Sequence, residues 1–283
     1  VNIGMNLYLW CNRFEPTHFG LLPELKAADF DGVEIPMGEY SAGEVAAIRS
    51  ALDGEGLRCT MASIMHAEHN PISPDAAIRR AALDKLRSDI DMAAALGSEA
   101  VVGPMHSAHK LFAGRGPVEA EFEHCVEVLQ GAARHAEAAN VRIAVEPLNR
   151  FECYFLNTQA QGRALADAVD SDWVGILYDT HHANIEEADM AGAAQELGNR
   201  MVHFHVSECH RGTPGTGTVD WDGAFRGMRD TGFDGWVVIE AFAGDVPGIA
   251  EAVNIWRDCF HSKTEVFQEG IRLIREKLGT SAP

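Results

Sequence analysis

The chain has 283 residues, 46% hydrophobic and 23% charged, enough for a folded protein with a sizeable core. Its net charge of −19, from 23 basic and 42 acidic residues, argues against nucleic acid or an anionic membrane as partner, because both demand a basic face. The six cysteines form no CxxC pair, no charged-then-apolar leader opens the sequence, and no apolar run approaches the ~18 residues of a membrane span. Reduced thiols and a cytoplasmic location are the expectation.

The pattern predicts a first strand over Ile3–Trp10, with Tyr8 and Trp10 suited to a pocket wall, then a helix near Phe19–Ala28. Gly32–Pro36 reads as a short strand stopped by proline, and its Glu34 is a second-rank site candidate. Ala42–Glu55 is helical, with Val45, Ile48 and Leu52 at helical spacing. Leu57–Ser63 is a third strand running on toward His66 and His69. Ser73 and Pro74 read as the cap and first residue of a long helix that Gly97 ends. Glu99–Met105 is a fourth strand, and the long loop from His106 to Gly116, which includes His109, reads as a lid. A helix over Val118–Asn140 follows.

From there four apolar runs each deliver one metal-ligand residue. Ile143–Val145 leads to Glu146, Val174–Tyr178 to Asp179, Met201–Phe204 to His205, and Trp236–Ile239 to Glu240. Helices at Thr158–Val169, Glu187–Leu197 and about Trp221–Arg229 separate them, and a last helix spans about 263–278. Parallel strands covered on both faces read as apolar runs, and an acid at the end of such a run has no structural reason to be there. Eight strands alternating with helices predict a parallel sheet. The length fits one (β/α)8 TIM barrel over residues 1–283 as a single domain. A doubly wound open sheet is the alternative, weakened because no glycine-rich phosphate fingerprint follows the first strand. Barrel active sites lie at the C-terminal ends of strands, so Glu146, Asp179, His205 and Glu240 are expected on one rim.

Three carboxylates and one imidazole make a hard donor set, suited to Mn²⁺, Mg²⁺ or Co²⁺. Four ligands leave open positions that two neighbouring sugar oxygens can fill, with the ion acting on a carbonyl as a Lewis acid.

The motifs Glu146-Pro-Leu-Asn-Arg-Phe-Glu152, Asp179-Thr-His-His182, His203-Phe-His205 through Arg211-Gly212, and Val238-Ile-Glu240-Ala-Phe242 occur in this order. Together they resemble the signatures of the ketose 3-epimerases, the D-tagatose/D-psicose group of the xylose-isomerase-like barrels. The resemblance covers the whole chain. It implies one divalent metal, Mn²⁺ first and Co²⁺ or Mg²⁺ as alternatives, held by Glu146, Asp179, His205 and Glu240. It also implies Glu146 and Glu240 as the acid–base pair, and Glu152, His182 and Arg211 as substrate-binding residues. The activity implied is C3 epimerisation of free ketohexoses and ketopentoses through a metal-stabilised cis-enediolate. A homodimer or homotetramer is implied as well.

Three other readings remain open on the sequence. A sugar 1,2-isomerase, such as an aldose–ketose or hydroxypyruvate isomerase, would shift the same chemistry by one carbon. A metal-dependent nuclease of related fold is disfavoured by the −19 charge. A non-catalytic sugar-binding protein has no use for two glutamates in a full ligand set.

Overall fold

The computed structural model describes residues 1–257 and 259–279. Residues 258 and 280–283 of the span expected for the barrel lie outside them. Eight parallel strands close on themselves in sequence order. They are β1 (Asn2–Asn6), β2 (Gly32–Pro36), β3 (Arg58–Ala62), β4 (Ala100–Gly103), β5 (Arg142–Val145), β6 (Val174–Asp179), β7 (Met201–Val206) and β8 (Trp236–Ile239). Pairing of β8 with β1, Ile3 opposite Val237 and Met5 opposite Ile239, completes the ring and rules out the open sheet.

Among the described residues ten helices connect or follow the strands: α1 (Leu21–Ala27), α2 (Ala42–Glu55), α3 (Ala76–Leu96), α4 (Glu119–Ala139), α5 (Gln159–Val169), α6 (Thr180–Glu186), α7 (Met190–Leu197), α8 (Trp221–Asp230), α9 (Ile249–Ala252) and α10 (Lys263–Leu278). Their inward stripes bury Ile48 and Leu52 of α2, Leu86 and Ile90 of α3, Cys125 and Leu129 of α4, and Ile271 and Ile274 of α10 against the strands. No described helix is long and apolar enough to cross a membrane.

Several expected boundaries shift for local reasons. β1 stops at Asn6, not Trp10, because the Asn6 side chain accepts the Tyr8 N–H at 2.8 Å and turns the chain into a short 3₁₀ helix. Tyr8 reaches the pocket wall, whereas Trp10 packs on Phe267. The long third helix is capped by Asp75, which accepts the Ala77 N–H, so Ser73 and Pro74 both precede the cap. The predicted helix from Glu187 starts at Met190 with Asp189 as cap. The α6 helix before it, of about two turns, is absent from the sequence pattern.

The barrel interior is asymmetric. Ala62, Ala100, Val102, Ala144 and Leu177, on β3 to β6, form a small apolar layer. On the other side β1, β2, β3 and β7 turn Asn6, Glu34, Thr60, His203 and His205 inward, all buried. The fourth strand ends at Gly103, whose φ is +125°. A Cβ there would stand 2.2 Å from the Ser63 carbonyl oxygen. Gly103→Ala should therefore cost about 3 kcal/mol. Urea unfolding midpoints would check this.

Candidate active site

Inward-facing residues alternate along a strand, so the C-terminal ends of β5 to β8 bring their terminal polar residues to one floor. Glu146 follows β5 and Glu240 follows β8. Each is still hydrogen-bonded into the sheet, by N–H donation to Gly103 and Val206 at 2.9 and 3.1 Å. Asp179 pairs in register with His205. One ligand atom from each of Glu146, Asp179, His205 and Glu240 lies within 4.8 Å of all the others. The four are 5%, 0%, 1% and 6% exposed.

Side chains of the cluster are aimed by further interactions. Asp179 Oδ1 caps α6, accepting the N–H groups of His181 and His182 at 2.6 and 3.1 Å, which leaves Oδ2 facing the cluster. Glu34, read from sequence only as a second-rank candidate, proves to be the hub beneath the site. Its Oε1 is 2.9 Å from His205 Nε2 and its Oε2 3.0 Å from His203 Nε2. Asn6 Nδ2 and Thr60 Oγ1 donate to it at 2.9 Å each. Asn6 Nδ2 also reaches Glu240 Oε1 at 3.4 Å. With Nε2 turned to Glu34, the Nδ1 of His205 faces Asp179 Oδ2 at 3.6 Å and Glu240 Oε1 at 3.5 Å. These ring contacts are close in distance but not directed along an N–H bond, so both ring nitrogens of His205 remain without a proper hydrogen bond. A buried, unsatisfied ring nitrogen among three carboxylates fits a divalent cation, and the lack of a thiolate in the set favours a hard one.

Arg211 supplies the local positive charge. Its Nη1 donates to Asp179 Oδ2 at 3.1 Å, Glu240 Oε2 at 2.5 Å and Ser207 Oγ at 2.8 Å. Glu152 is held by Asn149 and His109. His182 Nδ1 accepts the Asn149 backbone N–H at 3.0 Å. His182 Nε2 lies 3.3 Å from Glu146 Oε1. Arg211 Nη2 also approaches that Nε2 at 3.0 Å, and the guanidinium can only donate. Arg211 and His182 thus meet beside Glu146.

The electrostatics divide the acids. Burial pushes the Asp179 carboxyl up, but Arg211 and His182 outweigh it and hold it well below the usual range. Burial likewise opposes, and His205 and His203 overcome, at Glu34, which is lowered. Glu240 goes the other way: burial raises it, and His205 and Arg211 offset only part. The cavity above these residues has a volume of about 390 Å³, with Tyr8, Met37, Ala62, Ser63, His66, His109, Leu148, Glu152 and Phe242 among its walls. A larger cavity of about 580 Å³ lies at the opposite end of the barrel, beside Asn2, Glu99, Arg142 and Trp236. It lacks converging carboxylates, so chemistry and not volume marks the site.

The remaining histidines separate. His66 and His109 line the cavity, while His69 lines an adjoining groove. His106 is buried with its Nδ1 2.9 Å from Ser107 Oγ. Burial lowers His106 to about 3. Burial, then Arg211 and His182, lower His181 to about 3. Both rings stay neutral in the fold but protonate in the unfolded chain below about pH 6.5. The unfolded state then binds more protons, so their contribution is complete above that pH and declines as pH falls toward 3. Each ring should cost up to about 1.4 kcal/mol per pH unit in that window. Urea midpoints from pH 7 to 4 should fall, and less steeply in His106→Asn.

The family described as xylose isomerase-like TIM barrel matches residues 22–277. The chain is 30% identical over 254 residues to a D-psicose 3-epimerase of Agrobacterium fabrum, covering 88% of this chain and 86% of the relative. It is 29% identical over 281 residues to a ketose 3-epimerase of Arthrobacter globiformis, covering 98% and 97%. The solved D-psicose 3-epimerase of Clostridium cellulolyticum, crystallised with D-tagatose, superposes with a TM-score of 0.90 at 26% identity, covering 99% of both chains. The chain therefore belongs to the xylose isomerase-like TIM barrels and, within them, to the ketose 3-epimerases, which are carbohydrate isomerases.

Proposed function

We propose that this protein is a metal-dependent ketose 3-epimerase acting on free ketohexoses or ketopentoses of the D-tagatose, D-psicose/D-fructose and L-ribulose type. The observation that carries the reading is the meeting of Glu146, Asp179, His205 and Glu240 within 4.8 Å on the floor of one cavity. These four residues would hold one divalent ion, Mn²⁺ in preference to Co²⁺ or Mg²⁺. When bound, such an ion withdraws electrons from the C2 carbonyl and acidifies the neighbouring C3–H.

The chain's own residues do the rest. Glu146 and Glu240 are the acid–base pair: one removes the C3 proton and the other returns a proton to the opposite face. Burial keeps the proton affinity of Glu240 above the ordinary carboxylate range, which suits a group that takes and returns a proton near neutrality. Arg211 and His182 lie side by side and would bind the oxygen on which enediolate charge develops. Glu152, ionised and locked by two neighbours, would accept a substrate hydroxyl. The apolar walls at Ala62, Val102, Leu148 and Phe242 limit water near the reacting carbon.

Relatives named for D-psicose, L-ribulose and ketose epimerisation support this substrate class. Cytoplasmic residence and a homodimer or homotetramer belong to the same reading. Phe151 and Trp256 are 70% and 73% exposed on loops of the active-site rim, which supports their burial against another subunit. The direct test incubates the Mn²⁺-supplemented protein with ketoses in D₂O. The C3 epimer carrying deuterium is expected. Absence of both epimer and label sinks the reading, and an aldose product would point to 1,2-isomerisation.

A further inference from the structure

We infer that His109 is a substrate-binding, specificity-determining residue of this site, donating from Nε2 to Glu152 and accepting a substrate hydroxyl at Nδ1. The inference rests on the cavity being a ketose site.

The backbone fixes where this ring points. The His109 N–H donates to Met65 O, in the loop after β3, at 2.9 Å. The next N–H, of Lys110, donates to Glu152 O, in the loop after β5, at 2.9 Å. Lys110 Nζ donates to Ala252 O at 2.6 Å and Asn254 Oδ1 at 3.1 Å, beyond β8. Three rim loops are thus tied to a two-residue segment. Lys110 adopts a left-handed φ of +55° to make these ties, a strain that surrounding contacts must over-determine. A loop held this way is a fixed wall, and its histidine is placed rather than free to swing.

The ring lines the same cavity as Glu146, Glu152, His182, Arg211 and Glu240. Its side chain is only 9% exposed and that of Glu152 only 12%. One Glu152 oxygen accepts from Asn149 Nδ2 at 2.8 Å, and the other lies 3.1 Å from His109 Nε2. A carboxylate accepts and does not donate, so Nε2 carries the proton. In the neutral ring Nδ1 is then a lone-pair acceptor, and it makes no hydrogen bond among the described residues. Arg211 offers donors nearby, whereas the surrounding wall at Pro104, Leu148 and Val253 is apolar. A neutral acceptor in that wall selects a hydroxyl over a hydrogen atom, because a deoxy analogue leaves it unpaired. The site therefore favours ketoses with a hydroxyl beside the one bound by Glu152, and disfavours the ketose deoxygenated at that carbon.

The test compares wild type, His109→Phe and His109→Gln, each loaded with Mn²⁺. D-psicose, D-tagatose and their single-deoxy analogues are measured by turnover and by calorimetric binding. His109→Phe should raise KM and Kd for the full ketoses at least tenfold with a smaller change in kcat. It should also erase the wild-type preference over one deoxy analogue and leave the others unchanged. His109→Gln keeps a donor and an acceptor and should recover most of the affinity. Wild-type affinity and selectivity in His109→Phe would overturn the inference. So would an equal loss against every analogue, which marks a merely structural role. Sugar binding by wild type without C3 epimerisation would instead strike the proposed function, while the variant's binding pattern would still judge His109.

Discussion

Glu146→Gln and Glu240→Gln should each lower epimerisation by about 10³-fold, within the range of lost general acid–base catalysis, with little loss of fold. Glutamine keeps the volume of glutamate and an oxygen acceptor for the Asn6 contact at Glu240 and the His182 contact at Glu146. What it loses is the ability to take a proton. The informative result is how the residual chemistry divides. With one carboxylate gone, the other can still remove the C3 proton that faces it and return a solvent proton to the same face. Each variant should therefore wash deuterium into one epimer of a substrate pair and not the other, and the two variants should choose opposite epimers. Proton NMR of recovered ketose in D₂O measures both quantities. Epimerisation within tenfold of wild type in either variant, or exchange of the same epimer by both, would falsify the assignment of the pair.

Divalent metal should raise the melting temperature of the chelator-treated protein by several degrees and restore activity from near zero. At about 100 times Kd a ligand specific for the folded state adds about 2.7 kcal/mol, and for a chain above 150 residues each kcal/mol is worth about 2–4 °C. The physical source is the crowding of Asp179, Glu146 and Glu240 around His205, with Arg211 bonded directly to two of them. Because burial raises Glu240, binding should displace its proton and weaken as pH falls. Asp179→Asn provides the control. Its carbonyl oxygen can still cap α6 through His181 and His182, while an amide replaces the oxygen that faces the cluster. The variant should fold yet show no thermal shift with Mn²⁺. A full shift in that variant, followed by differential scanning fluorimetry over a metal titration, would remove Asp179 from the site.

Much of this design is written locally. A charge at the end of an apolar strand is costly unless it is used, so Glu146, Asp179, His205 and Glu240 stood out one by one. The alternation of strands and helices then implied a rim where they meet. Local capping was less legible. Asp179 serves as strand end and helix cap at once, which hid α6 behind the functional reading of the same residue. At α3 three consecutive residues, Ser73, Pro74 and Asp75, all suit a helix start, and only the folded backbone selects Asp75.

Glu34 and His109 show the limit more sharply. A glutamate in a short strand marks a buried charge but not its partners, and a histidine in a long loop carries no signal in its neighbours. Glu34 gains its meaning when β2 closes into the barrel and sets it under His203 and His205. His109 gains its own when the loops after β3, β4, β5 and β8 are tied across the mouth. The sequence alone determined the strand-end acids and histidine, the barrel class and the family resemblance, because burial cost and periodicity act over a few residues. Only the tertiary structure decided which groups support those side chains and which line the cavity, because such contacts join segments far apart in the chain and exist only once the ring of strands has closed.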